Sequence, residues 1–468
     1  MSVGSASADV IRNNQSQAEI FKLKIDHFEE LFDWLSLNDL VALSRTCKRM
    51  QRIVGYYIKT TYAAIKFNCT SDGIERGYQE SKLTGLSSFL KKLMFHYLEY
   101  VPFDHWNQQW GKPEQIIPHM VADQFKSLTE ILLTRVVLTD AGISRIKGIL
   151  GQLEMVRLKF PHFLDEKNKD IYGDFLKYCT NVKELCIQGS SNRCLVGVDN
   201  SWLLREYPTL EHFELIMNQN GPIDELSTFF GQNNHFKRFA TNVEMILANS
   251  DTFKTTPAKW DVLSVEFCHT NTFIPSRDLL NKLYERGRFN EVHVYFFTLF
   301  NTTFDQESVN ELTSFKGLTK LYIDGMEDGT DLSRLITLKQ LYISRASSIA
   351  NTITLATKLF NLEFIHFTYA DVSDIVPFIC QSPKLTKIVV FRLKENDEHI
   401  LNLVQLNKER SKLPNARKVT IHVEEHVYLD VKWTKKQTNL SLIEIKRGSS
   451  YDTLNHSFDY MDNPDRKF

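Results

Sequence analysis

Cys179 and Cys186, seven residues apart, are the closest this sequence comes to a thiol pair or a soft metal-ligand spacing. A zinc ribbon or redox motif needs cysteines two to four residues apart, with further Cys or His at a matching interval. None of the seven cysteines meets that pattern, so Cys179 and Cys186 are expected to be reduced core thiols. The 14 histidines follow no ligand spacing either, and His293 and His366 are expected three strands apart, too far to share an ion unaided. No phosphate-cradling glycine loop, nucleophile elbow, H-E-x-x-H helix or calcium loop occurs. The expectation is therefore no catalytic residue, no metal and no cofactor. What remains is contact chemistry, in a set of aromatic rings and imidazoles: His293, Tyr295, Tyr322, Tyr342, Phe364, His366 and Phe391. Such side chains dominate binding hot spots when exposed.

The elements that position them form a repeat. Apolar residues at relative positions 1, 4 and 6 recur from Tyr62/Ile65/Phe67 and Leu90/Leu93/Phe95 to Leu385/Ile388/Val390 and Leu440/Ile443/Ile445. The mean period is about 27 residues, inside the 20–29 window of leucine-rich repeats. Positions 4 and 6 alternate along a short strand toward a shared core, and the residues beside them point to the other face. Between strands the chain returns on the outside, as in Asp140 to Leu150, where Ile143, Ile146, Ile149 and Leu150 have helical spacing. Leu138-Thr139-Asp140-Ala141-Gly142-Ile143 and Cys179-Thr180-Asn181-Val182-Lys183-Glu184-Leu185 resemble segments of the cysteine-type, helix-backed leucine-rich repeats. That resemblance implies an α/β solenoid, a horseshoe with parallel strands on its concave face and helices or loops on its convex face. Few repeats carry Asn or Cys after position 6 and the intervals are uneven, so the solenoid is expected to be irregular. The wide interval from Leu90 to Leu128, with Pro102, Trp106, Trp110, Pro113 and Pro118, is a candidate inserted loop.

In this frame His293, Tyr322, Tyr342 and His366 occupy the middle position of four successive strands. With strands about 4.8 Å apart they would make a ladder roughly 15 Å long, flanked by Tyr295, Phe364 and Phe391. The expectation is an exposed patch for a protein substrate, in which Tyr322→Ala and Tyr342→Ala abolish capture and leave the fold intact. The alternative is that the rings stack on one another and stabilise the sheet.

Residues 23–54 read LKIDHFEELFDWLSLNDLVALSRTCKRMQRIV. Phe28, Leu31, Phe32 and Leu35 fall on one face of a short helix. Asn38 is the expected N-cap of a second helix carrying Leu40, Leu43, Cys47, Met50 and Val54. Two such helices cannot enclose a core alone, so the segment needs a partner surface. It resembles an F-box: Leu23, Phe32, Leu35, Asp39, Leu40, Cys47, Lys48 and Arg49 stand at matching positions, while Lys24 replaces the usual proline and Met50 the usual tryptophan. The resemblance implies docking on a Skp-type adaptor, and through it a cullin-RING ligase, by Leu23, Phe28, Leu31, Phe32, Leu35, Leu37, Leu40, Val41 and Leu43. The repeats would then present a protein substrate for ubiquitination, the chain itself being no enzyme. The alternative is an F-box and repeat scaffold that binds a partner without directing its degradation.

The organisation expected is a disordered lead (1–22), the F-box (23–60), the solenoid (61–446) and a tail (447–468). The tail's Tyr451, Phe458, Tyr460 and Phe468 either belong to a disordered terminus or fold back over the concave face. Lysine and arginine total 56 against 57 acidic residues in 468, which argues against nucleic acid and anionic membranes as partners. With no paired cysteines, no signal-peptide core and no apolar run long enough to span a bilayer, a cytoplasmic or nuclear protein is expected. Only 19 glycines and 12 prolines accompany 32 phenylalanines and 17 tyrosines, a composition of regular elements with bulky fillers.

Overall fold

In the computed structural model the chain divides into two compact units, residues 1–182 and 183–468. The structure describes residues 28, 31–32, 34–35, 37–61, 64–70, 73–74, 91–97, 126–134, 137–138, 140–159, 162–163, 171–189, 200–217, 221–268, 272–297, 303–394, 401–434 and 440–447. The expected lead, most of the Leu90–Leu128 interval and the tail beyond Arg447 lie outside the described residues.

The first unit begins with helical residues Phe28, Leu31 and Phe32, followed by helices α1 (Leu37–Ser44) and α2 (Lys48–Thr61). The second helix expected from sequence is thus two helices, and Asn38 lies within the first turn of α1 instead of capping it. The break comes at Arg45–Cys47, where tight turns close from Arg45 N–H to Ala42 O and from Thr46 N–H to Leu43 O. Cys47 Sγ then accepts from Met50 N–H at 3.4 Å, filling the capping place ahead of Lys48. Met50, Ile53, Val54 and Tyr57 make the buried face of α2. Strands β1 (Ala64–Thr70), β2 (Gly73–Ile74), β3 (Lys92–Tyr97), β4 (Glu130–Thr134), β5 (Val137–Leu138), β6 (Met155–Lys159) and β7 (His162–Phe163) complete the described strands of the unit. β1, β3, β4 and β6 pair in parallel in that order, β2 lies antiparallel on β1, and β5 pairs with β7. The helix Asp140–Leu150 buries Ile143, Ile146, Ile149 and Leu150, the face expected from their spacing.

The second unit is a ladder of parallel strands. They are β8 (Glu184–Gly189), β9 (His212–Met217), β10 (Arg238–Asn242), β11 (Trp260–Phe267), β12 (Phe289–Phe296), β13 (Leu318–Ile323), β14 (Gln340–Arg345), β15 (Phe364–Asp371), β16 (Lys387–Lys394), β17 (Val419–Val423) and β18 (Ile443–Arg447). Each pairs with the next, all parallel, and helices such as Glu225–Gln232, Phe273–Glu285 and Val372–Gln381 return between them. An F-box-type helical segment followed by leucine-rich-repeat-type strand and helix units is the architecture expected from the sequence.

Register follows the position-4 and position-6 residues. Leu185, Phe213, Phe239, Leu263 and Val292 stand opposite one another across β8 to β12. From β13 the row runs Leu321, Leu341, Ile365, Ile388 and Ile421. Between β12 and β13 the repeat frame is offset by two residues, Leu321 facing Val294 and Ile323 facing Phe296, and Thr319 is an extra residue at the Val292/His293 irregularity. A two-residue slip keeps every side chain on its own face, where a slip of one would turn the core residues outward.

Aromatic rings fill this core. Phe213, Phe229, Phe230, Phe236, Phe239, Phe253 and Trp260 are all buried, with neighbouring centroids 4.4 to 6.3 Å apart, among them Phe213–Phe229 at 4.4 Å and Phe239–Trp260 at 5.1 Å. Buried asparagines tie the repeats together. Asn233 Oδ1 accepts from Tyr207 N–H at 2.6 Å and Asn249 Oδ1 from Ile223 N–H at 2.8 Å, both from 26 residues away. Each also closes its own helix, Asn233 on Phe229 O and Asn249 on Met245 O. Gly317 enters β13 at φ +78°, and a Cβ there would stand 2.6 Å from the Tyr284 ring, so only glycine fits.

Candidate protein-interaction surfaces

On the N-terminal segment the nine expected adaptor-facing residues separate by burial. Phe28, Phe32 and Leu40 are buried within the chain. Phe32 stacks against Phe28 at 5.8 Å and edge-on to Tyr57 at 5.2 Å, which ties the first helical turn to α2. In this structure these three pack the helices on one another, where the resemblance implied an adaptor-facing role. Leu31 is 52% exposed, and Leu35, Val41 and Leu43 are partly buried. Leu37 is helical, its side chain outside the described set, and Leu23 lies outside the described residues altogether.

The sequence reading missed Trp34, which is 89% exposed. It stands off the 28/31/32/35 face, in the turn closed by Trp34 N–H to Leu31 O and Leu35 N–H to Phe32 O. A large ring on the polar side of a short amphipathic turn was the available signal. Tyr56, 57% exposed on α2, is a second ring of this kind. Met50, at the family's tryptophan position, is buried on α2.

In the second unit the aromatic ladder forms, but with one rung changed. The register slip puts Tyr295 opposite Tyr322 and sets His293 opposite Lys320, so the row is Tyr295, Tyr322, Tyr342 and His366. His293 drops out of it. Tyr295 and Tyr322 stack at 6.1 Å, Tyr322 and Tyr342 lie 6.2 Å apart, Tyr342 meets Phe364 at 4.8 Å and His366 at 5.6 Å, and Phe297 leans on Tyr322 at 5.2 Å.

The expectation of an exposed patch is corrected here. Tyr295, Tyr322, Tyr342 and His366 are buried, Phe364 packs against them half-buried, and together with Ile216 and Ala240 the rings make a second apolar cluster. Stacking between neighbouring strands, the alternative reading, is what the ring geometry displays. Of the seven residues only Phe391 is exposed, at 43%.

Charges are bound into this cluster. Lys320 Nζ sits 4.9 Å from the Tyr295 ring centre and 4.8 Å from that of Tyr342, a cation held between two π faces. Glu291 lies 3.7 Å from His293, accepts from Lys339 Nζ at 2.6 Å and from Thr319 Oγ1 at 2.7 Å, and these partners hold its carboxyl far below the usual range. Burial pushes His293 down against the pull of Glu291, and burial together with Lys387 pushes His366 down to about 4. His366 Nε2 is buried without a hydrogen-bond partner. Burial also drives the Tyr342 hydroxyl upward. These groups are neutral or paired, and no pair of them forms a nucleophile with its base.

Among the described residues no group of three His, Cys, Asp or Glu could hold a metal ion, and no helix is long and apolar enough to cross a membrane. Cys179 and Cys186 are buried thiols that form no disulfide, the Cys179 thiol pushed up to about 12 by burial.

Residues 25–59 match the F-box domain family. No curated protein sequence matches the chain. Among solved structures the chain is similar to a leucine-rich-repeat protein of Leptospira interrogans at 13% identity and a TM-score of 0.23, over 79% of this chain and 92% of that one.

Proposed function

From a chain that is an F-box domain followed by leucine-rich-repeat-type units, and so a protein-interaction adaptor, we propose the substrate-recognition subunit of an SCF-type ubiquitin ligase. The F-box match over residues 25–59, with Leu31 and Trp34 left in water on that segment, is the observation that carries this reading. An exposed tryptophan beside a half-exposed leucine is the composition of an interface anchor and its rim. In this role the F-box segment docks on a Skp-type adaptor, a cullin joins through that adaptor, and the repeat strands hold a protein substrate. The chain contributes binding and position, and the ubiquitin transfer belongs to other subunits. We place it in the cytoplasm or nucleus, because its cysteines form no paired framework.

The test is affinity capture of the full chain, with and without Leu31→Asp and Trp34→Asp together, scored for a Skp-type adaptor and a cullin. Both should be retained by the wild type and lost from the variant, with the same melting temperature. Capture of the adaptor without a cullin would instead favour the scaffold reading. Absence of both from the wild type would end the ligase reading.

A further inference from the structure

The carboxyl ends of β14, β15 and β16 carry three large polar side chains in register: Arg345 opposite Tyr369, and Tyr369 opposite Arg392. They line a cleft of about 580 Å³, floored by Ala370, Leu393 and the start of the helix Val372–Gln381 with Asp371 and Asp374. All three side chains are exposed, Tyr369 at 42%. The Arg392 guanidinium lies 5.5 Å from the Tyr369 ring centre, and its Nη1 reaches the Tyr369 hydroxyl at 3.4 Å.

Neither arginine has a carboxylate partner among the described residues, although two aspartates line the same cleft. Elsewhere in the unit Arg238 pairs with Glu184 at 3.0 Å and Arg417 with Glu363 at 3.2 Å, while the exposed Arg286 and Arg334 donate to Lys254 O and Asn310 Oδ1. The reason is local. Asp374 turns its carboxylate back to the helix start and accepts from Asp371 N–H at 2.8 Å, and burial pushes its pKa up. It neutralises a backbone donor and leaves the guanidinium groups to the outside. Two strand spacings set the Arg345 and Arg392 backbones roughly 10 Å apart, a span that two long side chains can close on one group from either side.

Guanidinium is matched to oxyanions: its planar fork gives parallel hydrogen bonds to phosphate or carboxylate, stronger than bonds between neutral groups. Tyr369 between the two forks offers a hydroxyl and a flat face for whatever carries the anion. A free small molecule would need a site that encloses most of its surface. Here all three recognition groups stand at an open rim, which suits a group projecting from a larger chain. Nucleic acid fits poorly, because two cations in a chain of net charge −1 make no phosphate track.

We propose that the Arg345–Tyr369–Arg392 cleft binds an acidic side chain, phosphate or carboxylate, on a protein segment held by the repeats. This rests on the reading of the repeats as the capturing part of the molecule and names the chemistry they select.

The probe is a set of three fluorescent degenerate peptide pools, matched except that the fixed central residue is phosphoserine, glutamate or serine, titrated against the full chain. At least one acidic pool should bind about tenfold or more tighter than the serine pool, weakening with added salt. Arg345→Ala with Arg392→Ala should remove that preference at unchanged melting temperature, and lysine at both positions should restore part of it. Preference for phosphoserine alone assigns a modified segment, and equal preference for glutamate a plain acidic one. Equal binding of all three pools, or a preference that survives the double alanine variant, would overturn the proposal. So would arginine-dependent binding of single-stranded RNA or anionic vesicles in place of peptides. Adaptor capture by the same double variant separates the two readings: retained capture with lost peptide preference leaves the ligase reading standing, whereas a wild type that binds acidic peptides and never retains the adaptor defeats that reading alone.

Discussion

Trp34→Ala isolates the docking claim because it removes contact area that the folded chain does not use. An enclosed aromatic side chain buries about 150–250 Å²; at 89% exposure nearly all of this is still in water. At about 25 cal/mol per Å² the available transfer is roughly 3–5 kcal/mol. Association does not return the whole of it, since ordering and desolvation costs intervene. A loss of about 2–3 kcal/mol, or roughly 30- to 150-fold in affinity for the Skp-type adaptor, is expected. Leu31→Ala, at half exposure, should cost about 1 kcal/mol, near fivefold. Phe32→Ala is the contrast: wholly buried against Phe28 and Tyr57, it should lose about 3–5 kcal/mol of stability. The assay is titration calorimetry against the isolated adaptor, paired with thermal unfolding of each variant. Unchanged adaptor affinity in Trp34→Ala, or melting as early as Phe32→Ala, would refute the assignment of Trp34 to the interface.

The other expectations concern the second unit. Arg410 is fully buried and donates only to carbonyls, those of Ile379, Ser382, Pro383, Leu385 and Arg417; in Arg410→Met the Ser382 and Pro383 carbonyls still accept from Leu385 N–H and Arg417 N–H, and losing the guanidinium at the other three should cost about 3 kcal/mol or more, at about 1–3 per orphaned group, seen as a lower urea midpoint. Tyr322→Ala with Tyr342→Ala should lower stability by about 3 kcal/mol or more, so lost capture in that variant would have to be separated from unfolding by its melting curve. His366 is depressed to about 4 when folded, so the unfolded chain takes the proton first and stability falls as pH drops from about 6.5 toward 4, by up to roughly 3 kcal/mol. Urea midpoints of wild type and His366→Gln across that window check this; Glu291, held low, loses its contribution only at lower pH. Gly317→Ala should cost more than about 1 kcal/mol, because the backbone is left-handed and the Tyr284 ring blocks the added carbon; calorimetric melting measures it.

What was legible in the sequence was whatever alternation controls. Leu321, Leu341 and Ile365 sit in the core because period-two spacing puts them there, and that much needs no partner strand. The slip between β12 and β13 was invisible for the same reason. Moving two residues leaves inside and outside unchanged, so the sequence reads equally well in either register, and His293 and Tyr295 exchange roles with no trace in the pattern. The asparagines were not legible because the repeat pattern marks an Asn or Cys after the strand, and these stand elsewhere. Asn233 and Asn249 do the stitching from helix ends, each caught between its own helix and a backbone N–H of an earlier segment. Trp34 was missed because a helical-face search rewards residues on the shared face, and a docking residue stands off it.

The aromatic row carries the largest difference between sequence and structure. Alternation correctly sets Tyr322 and Tyr342 on the face away from the core, but facing away from one core is not the same as facing water. Rings on adjacent strands lie close enough to cover one another, and each further ring in register removes area from its neighbours, so a row of four buries itself as a single ring could not. Lys320, held between Tyr295 and Tyr342, extends the same logic to charge, its ammonium facing rings in place of a carboxylate. The row therefore fixes strand register and stiffness across β12 to β15. In the proposed cleft, selectivity for a bound segment rests on side chains near the strand ends, where Arg345, Tyr369 and Arg392 are exposed in register. On this view exposed polar groups aligned by a rigid sheet do the choosing, and the buried aromatics keep them aligned.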